Sequence, residues 1–498
     1  MPRLWAPPVV FLLLFFPLLW ISQYAYPSGD DFQLAVIANK LGPIGAMKSW
    51  YFNGSGRYSY TFLQSLISDS KHWLLLYRML PPVLILIGFG SVFYFLRSIF
   101  GLALGGKALF LLSAASYSLL INLTPDIATA FYWLTTSIQY VGAFFVSLLI
   151  FGLLIEFTHA ARRSRRLVIA TVIIFLIVLV AGMNEVSALF MCAGLVSVNL
   201  LYFASKKKIS GAGLVFAIIS TAFTLLSFYS PGNEARVSQV SAESGFIKVA
   251  AGSISLTVYL LVEFLLAKPI LPATVLYFIF LNANRDRLGQ VRSLFSHVRW
   301  HWVALLILAG ITAVNLGIFI AIGPNSLVDR LKNVYIYSLF FGWVVLMTAV
   351  FFQFIDRRRE LRLPQWVVWG LSIFLLGFLV FGSKFEIAGG NAIPSANSLQ
   401  KVASSIQTTS VYTNAYLDLL SGRAAHFAEQ NRQREAELQN TGEPIDFSLY
   451  SYVPMTIFIQ DINHPFGEPQ WQTTYSCGQV RKLNYRETGP PAQQKKKF

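Results

Sequence analysis

Two adjacent carboxylates, Asp30 and Asp31, follow a first apolar stretch at 11–21, and a second long apolar run begins past residue 72. Between the runs lies YPSGDDFQLAVIANKLGPIGAMKSWYFNGSGRYSYTFLQ, starting at Tyr26. An acidic pair beside a lipid phase is costly to place there, so the expected use is chemical. A carboxylate at the aqueous edge of a lipid-facing cleft acts as general base on a hydroxyl. Alternatively, Asp30 and Asp31 hold a divalent cation, Mg or Mn, that neutralises a phosphate leaving group. Helix capping by Asp31 or Ser28 explains one acid at this junction, not two.

Other polar groups fall in the same kind of segment. In WYFNGSGRYSY, Gly54 and Gly56 allow close backbone approach and set Arg57 at a helix start, where its planar fork suits a phosphate. Trp50 in the same tract is either a substrate contact or an interfacial anchor. Asn184-Glu185 occupies so short a turn between two apolar runs that Glu185 must lie at or just below the membrane surface, where ionisable groups are functional by default. Asp126 and Trp133 in TPDIATAFYWLTTS, and Asn233 and Arg236 in SPGNEAR, are further substrate-binding candidates or loop scaffolding. Arg78, Glu156 and Glu263 sit near span ends and are expected to snorkel or pair.

The elements that position these groups follow from hydropathy. Of 498 residues, 55% are hydrophobic and 12% charged, with a mean hydropathy of +0.57; soluble domains are roughly 25% charged. Apolar runs long enough to cross a bilayer lie near 8–24, 73–96, 107–123, 138–157, 167–182, 186–204, 211–229, within 250–283, 301–321, 334–354 and 366–382. The net charge of +16 falls in clusters at 97–107, 162–166, 206–208, 285–299 and 357–362. These alternate with base-poor loops, which is the positive-inside pattern and not a nucleic-acid footprint. The N-terminal apolar run is too long, and its cleavage signal too poor, for a signal peptide, so it reads as a retained first span. The region 250–283, broken by Lys268, Pro269 and Pro272, is read as one span preceded by an interfacial helix. The chain is therefore expected to be an all-α polytopic membrane protein of about eleven transmembrane helices, N-terminus in and C-terminus out.

The first outer loop, 25–72, carries Leu34, Ile37, Ala38 and Leu41 at helical spacing, so 31–41 should be an amphipathic helix on the membrane. Gly42-Pro43 should break it, a short helix should run to Tyr51, and NGSG should break the chain again. The catalytic unit spans 1–383. The polar tail, 384–498, reads as a small α+β extracytoplasmic domain with a long helix near 401–438, β-type sequence in YSYVPMTIFIQDI and a disordered end. Cys192 and Cys477 suggest neither a disulfide nor zinc.

Asp30-Asp31-Phe32, Trp50, Gly56-Arg57, Trp133 to Gln139-Tyr140, and Pro231-Gly232-Asn233 with Arg236 together resemble the GT-C superfamily of membrane glycosyltransferases. The likeness is to bacterial families related to the O-antigen glucosyltransferases of the Gtr type, and covers roughly 1–383. Thr136 departs from it, standing where a glycine is commoner. The resemblance implies an inverting glycosyltransferase of the bacterial inner membrane, with its site on the extracytoplasmic face. It implies a polyprenyl-phosphate sugar donor and a glycan or glycolipid acceptor. Asp30 or Asp31 is then the base, and Trp50, Arg57, Asp126, Trp133, Tyr140, Glu185, Asn233 and Arg236 line the substrates. Two rival classes fit less well. A lipid-linked polysaccharide polymerase or ligase would carry its large outer loop late in the chain, and a transporter would gather polar groups near the midplane.

Overall fold

A computed structural model describes residues 6–101, 104–234, 246–266, 268–295, 298–322, 329–355, 363–387, 392–441 and 451–459. Arg236, Trp471, Cys477 and the expected disordered end lie outside them.

Apolar runs become helices because a chain in lipid must satisfy its backbone internally. Eight helical stretches among the described residues are long and apolar enough to cross a membrane: Trp73–Phe100, Leu134–His159, Arg163–Ala181, Glu185–Ala204, Gly211–Phe228, Ile247–Leu266, Trp300–Phe319 and Arg330–Ile355. The other runs form shorter helices. These are α1 (Ala6–Ile21), α5 (Gly106–Asn122) and one over Gln365–Phe381, of 16, 17 and 17 residues. Leu12, Leu167, Trp366, Trp369 and Ile373 point outward, as expected of lipid-facing side chains. Polar residues inside the bundle pair across helices: Asn315 donates to Thr257 at 2.9 Å, and Tyr117 to the Ile85 carbonyl at 2.7 Å. Such bonds hold spans together where hydrophobic drive is absent.

The helices α4 (Trp73–Phe100), α5, α7 (Ala143–His159), α8 (Arg163–Ala181), α9 (Glu185–Lys206) and α10 (Gly211–Phe228) alternate in direction along the chain. Arg97, 162–166 and 206–208 therefore share one end of the bundle, and residues 182–185 and 229–234 share the other. At that second end, Tyr132 donates to the Leu18 carbonyl, Ser59 to the Gly182 carbonyl and Ser227 to the Gly56 carbonyl. The first loop folds as expected into α2 (Asp30–Asn53), broken at Gly42 (φ +67°), and α3 (Tyr58–Ser68).

Three expectations are corrected. Within 250–283 the order is reversed: the long apolar helix α11 (Phe246–Leu266) comes first, and the 14-residue α12 (Ile270–Ala283) follows it. Lys268 and Pro269 separate the two helices, and Pro272 falls in the first turn of α12, where a proline is tolerated. After α13 (Gly289–Phe295), α14 (Trp300–Ile322), α15 (Asp329–Val350) and α16 (Gln365–Phe381) comes the tail, where the single long helix is divided. It becomes α17 (Ser398–Ser405), α18 (Val411–Leu420) and α19 (Arg423–Thr441). Between α17 and α18, β2 (Ile406–Thr408) pairs antiparallel with β1 (Phe385–Ile387). Ser410 caps α18, and Gly422, at φ +78°, turns the chain into α19. The strands lie before the segment read as β-type, whose described part (451–459) is turn and coil. The tail docks on the spans: Val411 donates its N–H to Asn122 at 3.0 Å, and the buried Tyr412 donates to the Ser118 carbonyl at 2.9 Å.

Candidate active site

The acidic pair is split. Asp30 and Asp31 open α2 after Gly29, and neighbouring positions on a helix point about 100° apart. Asp30 is exposed, whereas Asp31 is fully buried. Asp31 accepts from the Ser28 N–H at 3.1 Å, the Thr135 N–H at 2.9 Å and the Thr135 hydroxyl at 2.6 Å. Burial pushes its carboxyl up to about 7, against the pull of these donors. Thus Asp31 ties the first loop to the segment after α5, and Asp30 alone presents an open carboxylate. Asp31 is fully buried and three of its roughly four acceptor positions already take protein donors, so the expected shared metal site does not fit this donor set.

The segment after α5 is irregular. Two π-helical turns, Ala128–Tyr132 and Ser137–Gly142, flank Leu134–Thr136, with Trp133 extended between them. The result is a buried set of inward-facing groups, and π-turns are frequent at functional sites. The Trp133 indole N–H donates to the Ser28 carbonyl at 2.9 Å. Thr136, where the resemblance led us to expect a glycine, donates its hydroxyl to the Thr129 carbonyl at 2.5 Å and closes the first π-turn.

Thr135 begins a chain of polar contacts. Gln139 donates to its carbonyl at 2.5 Å, and Arg57 Nη1 donates to Gln139 at 3.0 Å. Arg57 also grips Glu185 through Nε and Nη2, at 3.0 and 2.9 Å. Asn233 donates to the same carboxylate at 3.2 Å. Burial draws the guanidinium down, but the Glu185 carboxylate, with Tyr140 and Tyr60 beside it, more than offsets this, and Arg57 stays charged. Asn184 caps α9 through the Ser187 N–H and donates to the Gln139 carbonyl. Arg57, read in the sequence as a free phosphate fork, is thus a tie between the first loop, the π segment and Glu185.

Glycines make this convergence possible. A Cβ on Gly56 would sit 1.9 Å from the Ser227 carbonyl oxygen, and one on Gly232 would sit 2.8 Å from the Gly54 backbone. The GSGR and PGN tracts therefore lie backbone against backbone. Trp50 donates to Ser55 at 3.1 Å and braces this turn from the outside. Asp126 belongs to a separate clasp: its carboxylate accepts from the Ala128 and Thr129 N–H groups, and its backbone exchanges bonds with Asn333. Arg78 donates to the Ala25 carbonyl at 3.2 Å and stacks on Tyr26.

Three groups escaped the sequence reading. The Tyr60 hydroxyl and Gln64 Oε1 are buried without a hydrogen-bond partner. Tyr60 feels the charges of Asp31, Asp30 and Arg57, and Gln64 donates to Thr135 at 3.3 Å. Arg330 lies 5.7 Å from the Trp133 ring centroid, with its Nε buried and unpartnered. Tyr60 and Gln64 look like ordinary helix residues in sequence, but Arg330, which with Lys332 opens a span, carried a signal. Among the described residues no three His, Cys, Asp or Glu side chains gather as a metal cage. Comparison with protein-family models, with curated proteins and with solved structures finds no match to this chain.

Proposed function

We propose that this chain is an inverting membrane glycosyltransferase, moving a sugar from a polyprenyl-phosphate donor to a hydroxyl of a cell-envelope glycan or glycolipid. One observation carries the reading. Four segments far apart in sequence converge at one end of an apolar helical bundle, through Asp31, Thr135, Gln139, Arg57, Glu185 and Asn233. Beside them stand an open carboxylate, Asp30, and buried polar atoms without partners. Such a network fixes positions more than it stabilises a fold.

In this mechanism Asp30 accepts the acceptor's hydroxyl proton while the acceptor oxygen bonds to the anomeric carbon. The bond from that carbon to the phosphate oxygen breaks, and its electron pair leaves on the polyprenyl phosphate. A phosphate is a good leaving group and needs no protein acid. Arg330 supplies positive charge where the phosphate departs, with Arg236 as a further candidate, while Arg57, paired with Glu185, holds the first loop in place. Asp31, fixed by Ser28 and Thr135, holds the start of α2 so that Asp30 faces the acceptor. The basic clusters at the opposite end of the bundle support an extracytoplasmic site in a bacterial inner membrane.

The test is purified protein in vesicles supplied with a radiolabelled polyprenyl-phosphate hexose and envelope glycan. Label should move to glycan, and Asp30→Asn should lower the rate by a factor on the order of 10² or more. Label that crosses the membrane without changing carrier, or an Asp30→Asn variant at the wild-type rate, would refute the assignment.

A further inference from the structure

A second feature opens at the other end of the bundle. A cavity of about 1170 Å³ runs inside the bundle between α4, α7, α9, α14 and α15. Along α9 it is lined from Ser187 to Lys206, a stretch of roughly 28 Å at 1.5 Å per residue. Its walls are chiefly apolar, as at Phe144, Phe151 and Met191, and glycines at 194, 310 and 342 keep it open. At roughly 30 Å³ per water-sized group, it takes on the order of 40 methylene-sized groups. That is more than a drug-sized ligand fills, and about what two lipid tails need.

The mouth has a different chemistry. Arg97, Arg165 and Lys206 line the basic end, with Glu156 as the opposing carboxylate. Glu156 is already engaged by Arg165 and the Tyr94 hydroxyl, so Arg97 and Lys206, both exposed, give the rim a positive excess. An apolar interior under a cationic rim at the membrane surface is complementary to an anionic amphiphile.

We propose that this cavity binds an anionic membrane phospholipid. Its phosphate is held by Arg97, Arg165 and Lys206, and its tails lie along α7 and α9 toward Ser187. The headgroup site is at the opposite end of α9 from Glu185, the tails stop at Ser187 beneath the polar network, and the proposal does not depend on the transfer chemistry.

Native mass spectrometry of the full chain in detergent, titrated with dioleoyl-phosphatidylglycerol or dioleoyl-phosphatidylcholine, tests it. The wild-type chain should retain phosphatidylglycerol in preference. The double variant Arg97→Ala/Lys206→Ala changes only exposed side chains, and should lose phosphatidylglycerol affinity by on the order of 30-fold. Gly310→Phe should reduce retention of both lipids, because a Cβ there meets only Ala193 at 3.7 Å and the ring projects into the cavity. Equal retention of the two lipids by the wild-type chain would overturn the proposal. So would a double variant that keeps the preference, or a folded Gly310→Phe chain that binds as before.

Discussion

Truncating Asp31 should damage the fold, and truncating its neighbour Asp30 should not. Asp31→Ala removes the acceptor for three donors, of which the Thr135 N–H and hydroxyl are buried with it. Each buried donor left without a partner costs about 1–3 kcal/mol, so the variant should lose about 4 kcal/mol. Asp30→Ala gives up only a favourable charge at the first turn of α2, about 0.5 kcal/mol. Acidity separates the two further. The Asp31 carboxyl is raised from 3.8 to about 7 by burial, so the folded state holds its proton more tightly than the unfolded state. The stability this contributes is fully present below pH 3.8 and is lost as pH rises through 7. Asp31→Asn cannot titrate, so against it the wild-type chain should gain about 4 kcal/mol between pH 8 and pH 4. Equilibrium unfolding in mixed micelles, at both pH values and for all three variants, measures these differences. If Asp30→Ala unfolds as readily as Asp31→Ala, or the wild-type and Asp31→Asn curves stay parallel across pH, the division of labour between the carboxylates is wrong.

Breaking the Arg57–Glu185 pair from either side should cost about 3 kcal/mol, because it strands a largely buried charge; a double-mutant cycle of Arg57→Ala and Glu185→Gln should be strongly non-additive, and simple additivity would deny the contact. Arg57→Lys should recover only part, since an ammonium cannot span Glu185 and Gln139 together. Gly56→Ala, whose Cβ would press on the Ser227 carbonyl, should destabilise by about 2 kcal/mol or more. Gly90→Ala meets nothing and should be neutral to about 1 kcal/mol stabilising; thermal unfolding of the pair checks the backbone contact. Asp418, which accepts from the Met455 and Thr456 N–H groups at 3.0 and 2.8 Å, is raised by burial from 3.8 to about 6. Its contribution is therefore present below pH 3.8 and lost as pH rises through 6. Measured against Asp418→Asn, hydrogen-exchange protection of Met455 and Thr456 should decline over that interval, and an unchanged ratio would exclude the linkage.

Much of the architecture was legible in the chain because its causes are local. A bilayer asks each span to satisfy its own backbone, so apolar runs and basic punctuation mark helices and their ends without knowledge of neighbours. Gly42-Pro43 and NGSG likewise announced the breaks in the first loop through their own dihedral limits. The tail was harder. Its helical composition is continuous across 401–438, and the break comes from the pairing of 406–408 with 385–387 and from the docking of Val411 and Tyr412 on α5, both contacts with remote chain.

The candidate site divides along the same line. The sequence by itself determined which residue types reach that end of the bundle, since each chemistry-bearing tract follows or precedes an apolar run. Only the tertiary structure decided their roles. Asp30 and Asp31 are indistinguishable neighbours in the chain, yet a turn of about 100° sends one to the surface and the other to Thr135, 104 residues away. Arg57 finds Glu185 across 128 residues, and nothing within either tract encodes that meeting. Tyr60 and Gln64 matter only because other segments bury a polar atom of each without a partner. Burial and partner choice depend on what the rest of the chain packs against a side chain, and local spacing does not contain that information.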